Sequence, residues 1–147
     1  MPTSPNGGRR LCVKLVADAN ILFSAFIKKG LTREVWFDPR VQLFAPAYVL
    51  DEYSKYAADL CQRSGLGEKA ASALFGRLVR RLSLVSTDEL TPYITAASHL
   101  TDDPKDAPYV ACALSVGADI WTHDRHFRQP RVRVWSTHAL AEELGLL

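Results

Sequence analysis

Several common signatures are missing from this 147-residue chain. No stretch approaches the ~18 consecutive apolar residues of a membrane span. Cysteine is scarce: Cys12, Cys61 and Cys112 are odd in number and lack metal-ligand spacing, so neither a disulfide framework nor a zinc site is indicated. That usage fits a reducing cytosol. Cys12, in a predicted strand, and Cys112, on a helix face beside Ala and Val, are expected to pack as small apolar groups. His123 and His126 have half a zinc-site spacing with no second pair nearby, and read as a loop pair. There is no Gly-rich phosphate cradle and no Gly-x-Ser-x-Gly elbow, which removes P-loop, dinucleotide-binding and serine-hydrolase readings. Trp36, Trp121 and Trp135 are not spaced as a stacking platform and are assigned to the core. Charge of one sign is also lacking, since 18 Lys and Arg face 16 Asp and Glu for a net +2.

What is present is an ordinary globular composition, 48% hydrophobic and 23% charged, long enough for one self-sufficient domain. Residues 1–10 contain Pro, Asn, Gly and two Arg without an apolar core; they read as a flexible leader rather than a signal peptide, with the domain spanning 11–147. Apolar runs at 11–17, 41–45, 82–86, 118–122 and 132–135 alternate with helical periodicity, predicting an α/β fold on a mainly parallel five-stranded sheet. The pattern predicts a helix from Ala19 to Lys29 closed by Gly30, a second piece capped by Thr32, and a longer helix opened by Pro46. Later helices are expected over 66–80 (with Ala70, Ala73, Leu74 and Leu78 inward), from Thr87 or Asp88 to about Leu100, from Asp106 to Gly117, and from Ser136 or Thr137 to Leu144.

Four carboxylates stand out against this framework. Asp18 and Asp124 follow apolar strands, Asp106 starts a helix, and Glu52 lies on one. Along the helix containing Glu52, an apolar arc of Val49, Leu50, Tyr53, Tyr56, Ala57 and Leu60 leaves Glu52 at its flank and Asp51 towards solvent. In open parallel sheets, ligands bind beyond the carboxyl ends of the strands, so acids far apart in sequence can converge on one rim. Crowded carboxylates repel, and a hard divalent cation relieves that repulsion while activating water and stabilising charge on a phosphoryl group. Asp103 is a fifth candidate. Each acid alone has a structural use: Asp18 and Asp103 as helix caps, Asp106 at a helix dipole, Asp124 in a turn and Glu52 as a solvated flank. Arg125, Arg128, Arg131 and Arg133 fall within nine residues after Asp124, a cluster able to hold a polyanion or simply to form a solvated loop.

The segments Val16-Ala-Asp18-Ala-Asn20-Ile-Leu22, Pro46 followed by Glu52, Asp103-Pro-Lys-Asp106-Ala-Pro-Tyr-Val-Ala-Cys-Ala113 and Ala118-Asp-Ile-Trp-Thr122-His-Asp124-Arg-His-Phe127 occur in order. Together they resemble the motifs of PIN-domain ribonucleases, the third in the Asp-Pro-x-Asp form of a toxin-like subgroup. The resemblance implies a three-layer α/β/α sandwich with strand order 3-2-1-4-5 and Mg²⁺- or Mn²⁺-dependent endonucleolytic cleavage of RNA. Asp18, Glu52, Asp106 and Asp124 would then be the metal-binding, catalytic acids, with Asp103 an accessory ligand. Asn20 and Thr122 would support them through hydrogen bonds, and the arginines of 125–133 would contact RNA. It also implies a cytoplasmic homodimer acting as the toxin of a toxin–antitoxin pair, with an antitoxin protein as partner. His126 departs from the pattern, standing where many relatives have another acid. Two other readings compete: a non-catalytic RNA- or protein-binding module, and a phosphohydrolase with Asp18 as nucleophile. Against the second, Asn20-Ile21-Leu22 stands where such enzymes have a second Asp and a Gly-Thr continuation.

Overall fold

Five parallel strands form one sheet in the order β3-β2-β1-β4-β5. The computed structural model describes residues 12–124 and 132–147; the predicted leader lies outside the described residues. The strands are β1 (Val13–Ala17), β2 (Val41–Pro46), β3 (Leu82–Val85), β4 (Asp119–Trp121) and β5 (Val134–Trp135). Seven α-helices accompany them among the described residues: α1 (Ala19–Ile27), α2 (Leu31–Trp36), α3 (Tyr48–Ser64), α4 (Glu68–Arg80), α5 (Thr87–Leu100), α6 (Ala107–Val116) and α7 (Thr137–Glu143). Helices α1 to α4 and α7 form one contacting set, while α5 packs on α6 and α6 lies against β1, β2 and β4. The result is the expected α/β/α sandwich. No described helix is long and apolar enough to cross a membrane.

The centre of the sheet is almost wholly apolar. Leu15, Val16, Leu43 and Ile120 are buried, and Trp36 and Trp121 meet with ring centroids 6.0 Å apart. Every indole N–H is satisfied: Trp36 donates to the Leu78 carbonyl, Trp121 to Thr137 Oγ1 and Trp135 to Asp119 Oδ2. These three rings are structural, as their spacing indicated. Order reverses at β1, which has β2 on one side and β4 on the other. Such a reversal opens a crevice at the strands' carboxyl ends. Pairing of Ala17 with Trp121 sets the residues that follow, Asp18 and Thr122, side by side across that crevice.

Several local expectations are corrected. Pro46 does not open α3; it ends β2, opposite Val85. The Ala47 N–H bonds the Val85 carbonyl, so the alternation of a parallel ladder turns the Pro46 nitrogen towards β1, whose pairing has already ended at Phe44. Gly30 is extended and N-caps α2 rather than closing α1, so Thr32 lies inside α2, its hydroxyl near that of Thr137. On α4 the inward residue is Ala71, with Ala70 and Ala73 exposed, because the face turned to the core is set by packing on α1 and β3. Cys12 is exposed and precedes β1. Ser86 caps α5 in a reciprocal capping box with Glu89, one residue before the expected start. Arg81 donates to the carbonyls of Trp36, Asp38 and Val41, fastening the α2–β2 turn. Gly117 ends α6 at φ 66°, a left-handed conformation for which glycine is suited.

Candidate metal centre

Asp18, Asn20, Glu52, Asp103, Asp106 and Asp124 line one cleft of about 500 Å³ at the carboxyl edge of β1 and β4. Asp18 is the best anchored. It N-caps α1, one carboxylate oxygen accepting the Ile21 N–H at 3.0 Å and the other accepting the Thr122 hydroxyl. Thr122 is buried, and its Oγ1 also accepts the Asp124 N–H at 3.0 Å. One hydroxyl therefore ties together the acids that follow β1 and β4. Structural capping and placement in the cleft coincide in Asp18.

The remaining acids arrive from helices. Glu52 is half-buried on α3 beside Lys55, 3.6 Å away, while Asp51 is exposed and outside the cleft. Asp103 caps the 3₁₀ turn Pro104–Asp106 by accepting the Lys105 N–H. Asp106 then N-caps α6 without a side-chain cap bond; its carboxyl lines the cleft and accepts a hydrogen bond from the Thr101 side chain. Asn20 makes no hydrogen bond to these acids among the described residues; it lines the cleft from an exposed position. Arg133 lies away from the cleft, its guanidinium 4.0 Å from the centroid of Trp135. Arg125, Arg128, Arg131 and His126 fall outside the described residues. His123 is turned to Thr137, its Nε2 3.0 Å from Oγ1.

Electrostatics mark the cleft. Burial, opposed by the Thr122 and Ile21 hydrogen bonds, holds the Asp18 carboxyl above its ordinary pKa. Burial, with Asp103, Asp124 and Asp18 as neighbouring charges, pushes Asp106 up to about 6. Both residues resist ionising together, the condition that a cation removes. Among the described residues, no three Asp, Glu, His or Cys side chains stand together as a direct ligand set. The acids ring the cleft instead of meeting at a point, which suits a hard ion that keeps part of its water shell. The all-oxygen donor set and the shared repulsion fit a divalent cation.

The raised values have a measurable consequence. Well below pH 3.8 Asp106 is neutral in folded and unfolded chains alike. Between about 4 and 6 the unfolded chain releases this proton first, so the folded state loses stability as pH rises. The full shift corresponds to roughly 3 kcal/mol; solvent around the half-exposed carboxyl reduces it to on the order of 1 kcal/mol. Asp106→Asn should therefore gain thermal stability relative to wild type between pH 4 and 6.5 in EDTA, and Mn²⁺ should cancel the gain. A flat difference across that range would contradict the crowding.

Some cleft residues carried no functional signal in the sequence. Tyr56, assigned to the apolar arc of α3, is 50% exposed and meets Phe23 edge to face at 5.9 Å. Both line the cleft, together with Asp59, Arg63 and Lys105. Tyr109, one turn beyond Asp106, is 4% exposed and also lines it, and its hydroxyl has no hydrogen-bond partner among the described residues. An unpaired buried hydroxyl costs about 1–3 kcal/mol. The heptad-like spacing of α3 and the apolar run in α6 are what core aromatics produce too, so periodicity could not separate them.

Sheet order, the crevice at its reversal and the ring of acids define a parallel α/β fold with an acid-lined cleft at its carboxyl edge. The chain belongs to the PIN domain family, whose profile matches residues 16–145. Members of that family are generally metal-dependent nucleases. Among solved structures, the crystal structure of PAE2754 from Pyrobaculum aerophilum is similar, with a TM-score of 0.61 and 19% sequence identity over 92% of this chain and 97% of that one. At this identity the likeness concerns the fold. No curated protein matches the sequence.

Proposed function

We propose that this PIN domain is a Mg²⁺- or Mn²⁺-dependent endoribonuclease that hydrolyses phosphodiester bonds of single-stranded RNA. The observation that carries the proposal is the convergence of Asp18, Glu52, Asp103, Asp106 and Asp124 on one cleft at the sheet's carboxyl edge. Asp18, Glu52, Asp106 and Asp124 would hold the cation, with Asp103 as accessory. When bound, the ion supplies an activated water at neutral pH and charge stabilisation at phosphorus.

The chain's own groups do the rest. Thr122 fixes the Asp18 carboxylate and the Asp124 backbone relative to each other. Asp106 or Asp124, both lining the cleft, would orient the attacking water and take up its proton. At the rim, exposed Tyr56 offers a ring face for a base, held by Phe23, while Lys105 and Arg63 offer charge to the backbone. Arg125, Arg128 and Arg131 would extend that backbone contact in the proposal, while Arg133, stacked on Trp135, would not.

Incubating a mixed RNA pool with Mn²⁺ or with EDTA and mapping the ends tests the reading. Expected are internal cuts only with the metal, and ends without 2′,3′-cyclic phosphate, since water rather than the ribose hydroxyl attacks. Retained RNA binding without divalent-dependent cleavage would favour the non-catalytic module, and a phosphorylated Asp18 would favour the phosphohydrolase. A role as the cytoplasmic toxin of a toxin–antitoxin pair, as a homodimer with an antitoxin partner, is part of the same proposal. It is supported by the resemblance to small toxin-like PIN domains and by exposed apolar Tyr93 and Ile94 on α5.

A further inference from the structure

Tyr109 poses a question that core packing does not answer. Its ring packs edge to face on Tyr48 at 6.5 Å, a contact that phenylalanine would make equally well. The hydroxyl is the part without a structural use: it is buried, has no partner among the described residues, and stands where the charges of Asp18, Glu52 and Asp106 all act on it. Burial, together with those carboxylates, raises its pKa, so the phenol keeps its proton and can donate it to an oxygen in the cleft. A cleft walled by carboxylates is rich in acceptors, and any oxygen-bearing occupant needs donors to meet it there.

We propose that the Tyr109 hydroxyl is a ligand-facing donor, completed by a hydrogen bond to an oxygen of the cleft's occupant. That oxygen belongs either to a water carried in by the divalent cation or to the phosphodiester. The inference rests on the metal-dependent reading above. It assigns Tyr109 a binding role and explains why tyrosine occupies a site where phenylalanine would fold better.

Tyr109→Phe tests it with three measurements on the full chain. In EDTA the variant should melt at the same temperature as wild type or a few degrees higher, because an unsatisfied group is removed. Mn²⁺ binding without RNA, followed by the free-ion EPR signal, reports on the water source. Binding of a single-stranded oligoribonucleotide with Ca²⁺ in place of Mn²⁺ reports on the phosphate source. An affinity loss of about fivefold to tenfold is expected. If Mn²⁺ affinity falls, the partner is a water of the cation; if only RNA affinity falls, it is a phosphate oxygen. Unchanged affinities for both overturn the inference while leaving the metal site standing. A lower melting temperature in EDTA also overturns it, since the hydroxyl would then be structural. Failure of wild type itself to bind Mn²⁺ overturns the parent reading and this inference with it.

Discussion

Asp18→Asn is expected to lose divalent-dependent RNA cleavage by at least about a hundredfold and to bind Mn²⁺ more weakly by a similar order, while remaining folded. The reasons are local. Asparagine caps helices as well as aspartate does, so its side-chain oxygen can still accept the Ile21 N–H and the start of α1 should persist. What disappears is a charge that burial already holds above its ordinary pKa. Without metal the variant should match or exceed wild type in melting temperature, because a desolvated carboxylate facing other acids is removed. Circular dichroism melts in EDTA, Mn²⁺ titration and cleavage assays check the three parts. Unfolding of the variant, or full activity with metal present, would remove Asp18 from the site.

Thr122→Val should be the most damaging change at a residue that is not itself an acid. Valine fills the same volume, but it cannot donate to Asp18 or accept from the Asp124 N–H. Removing both bonds should cost about 1–2 kcal/mol of stability and about 10–100-fold in cleavage or metal affinity. Thr122→Ser keeps the hydroxyl and should recover most of the activity. Equal activity of the valine and serine variants would show that the bridge between the two acids is dispensable.

The parallel α/β alternation and the positions of the acids were legible because each rests on a short local pattern, whereas the strand order came from the resemblance. An apolar run ending in Asp, or a Pro-x-Asp turn before a helix, carries its geometry with it. Asp51 and Glu52 were separable by helical phase alone, and the structure leaves Asp51 in solvent and Glu52 at the cleft. Properties settled by distant partners were not legible. Pro46 looks like a helix opener until β3 is known to supply its ladder and β1 to stop short of it. Tyr56 has the phase of a core residue, yet nothing covers its outer half. Tyr109 reads as one more apolar-run aromatic, and only the three-dimensional neighbourhood shows its hydroxyl to be unmatched. Gly30 precedes α2 in an extended conformation, a use of glycine that spacing does not distinguish from a left-handed helix end.

Thr122 is held by β5, and its neighbours Trp121 and His123 by the start of α7. β4 has three residues, and its hold on the far side comes from β5: the Ile120 N–H bonds the Arg133 carbonyl and the Thr122 N–H bonds the Trp135 carbonyl. Thr137, at the start of α7, meets both Trp121 and His123. A ribosome making this protein therefore displays Asp18, Glu52, Asp103 and Asp106 well before the strand that aligns them can be locked in place. Contacts between such distant segments form late, after the cost of closing a long loop has been met. Assembly of the cleft therefore waits on β5 and the start of α7, and a chain interrupted before Val134 would carry all of these acids without the strand pairing that holds Thr122 between Asp18 and Asp124.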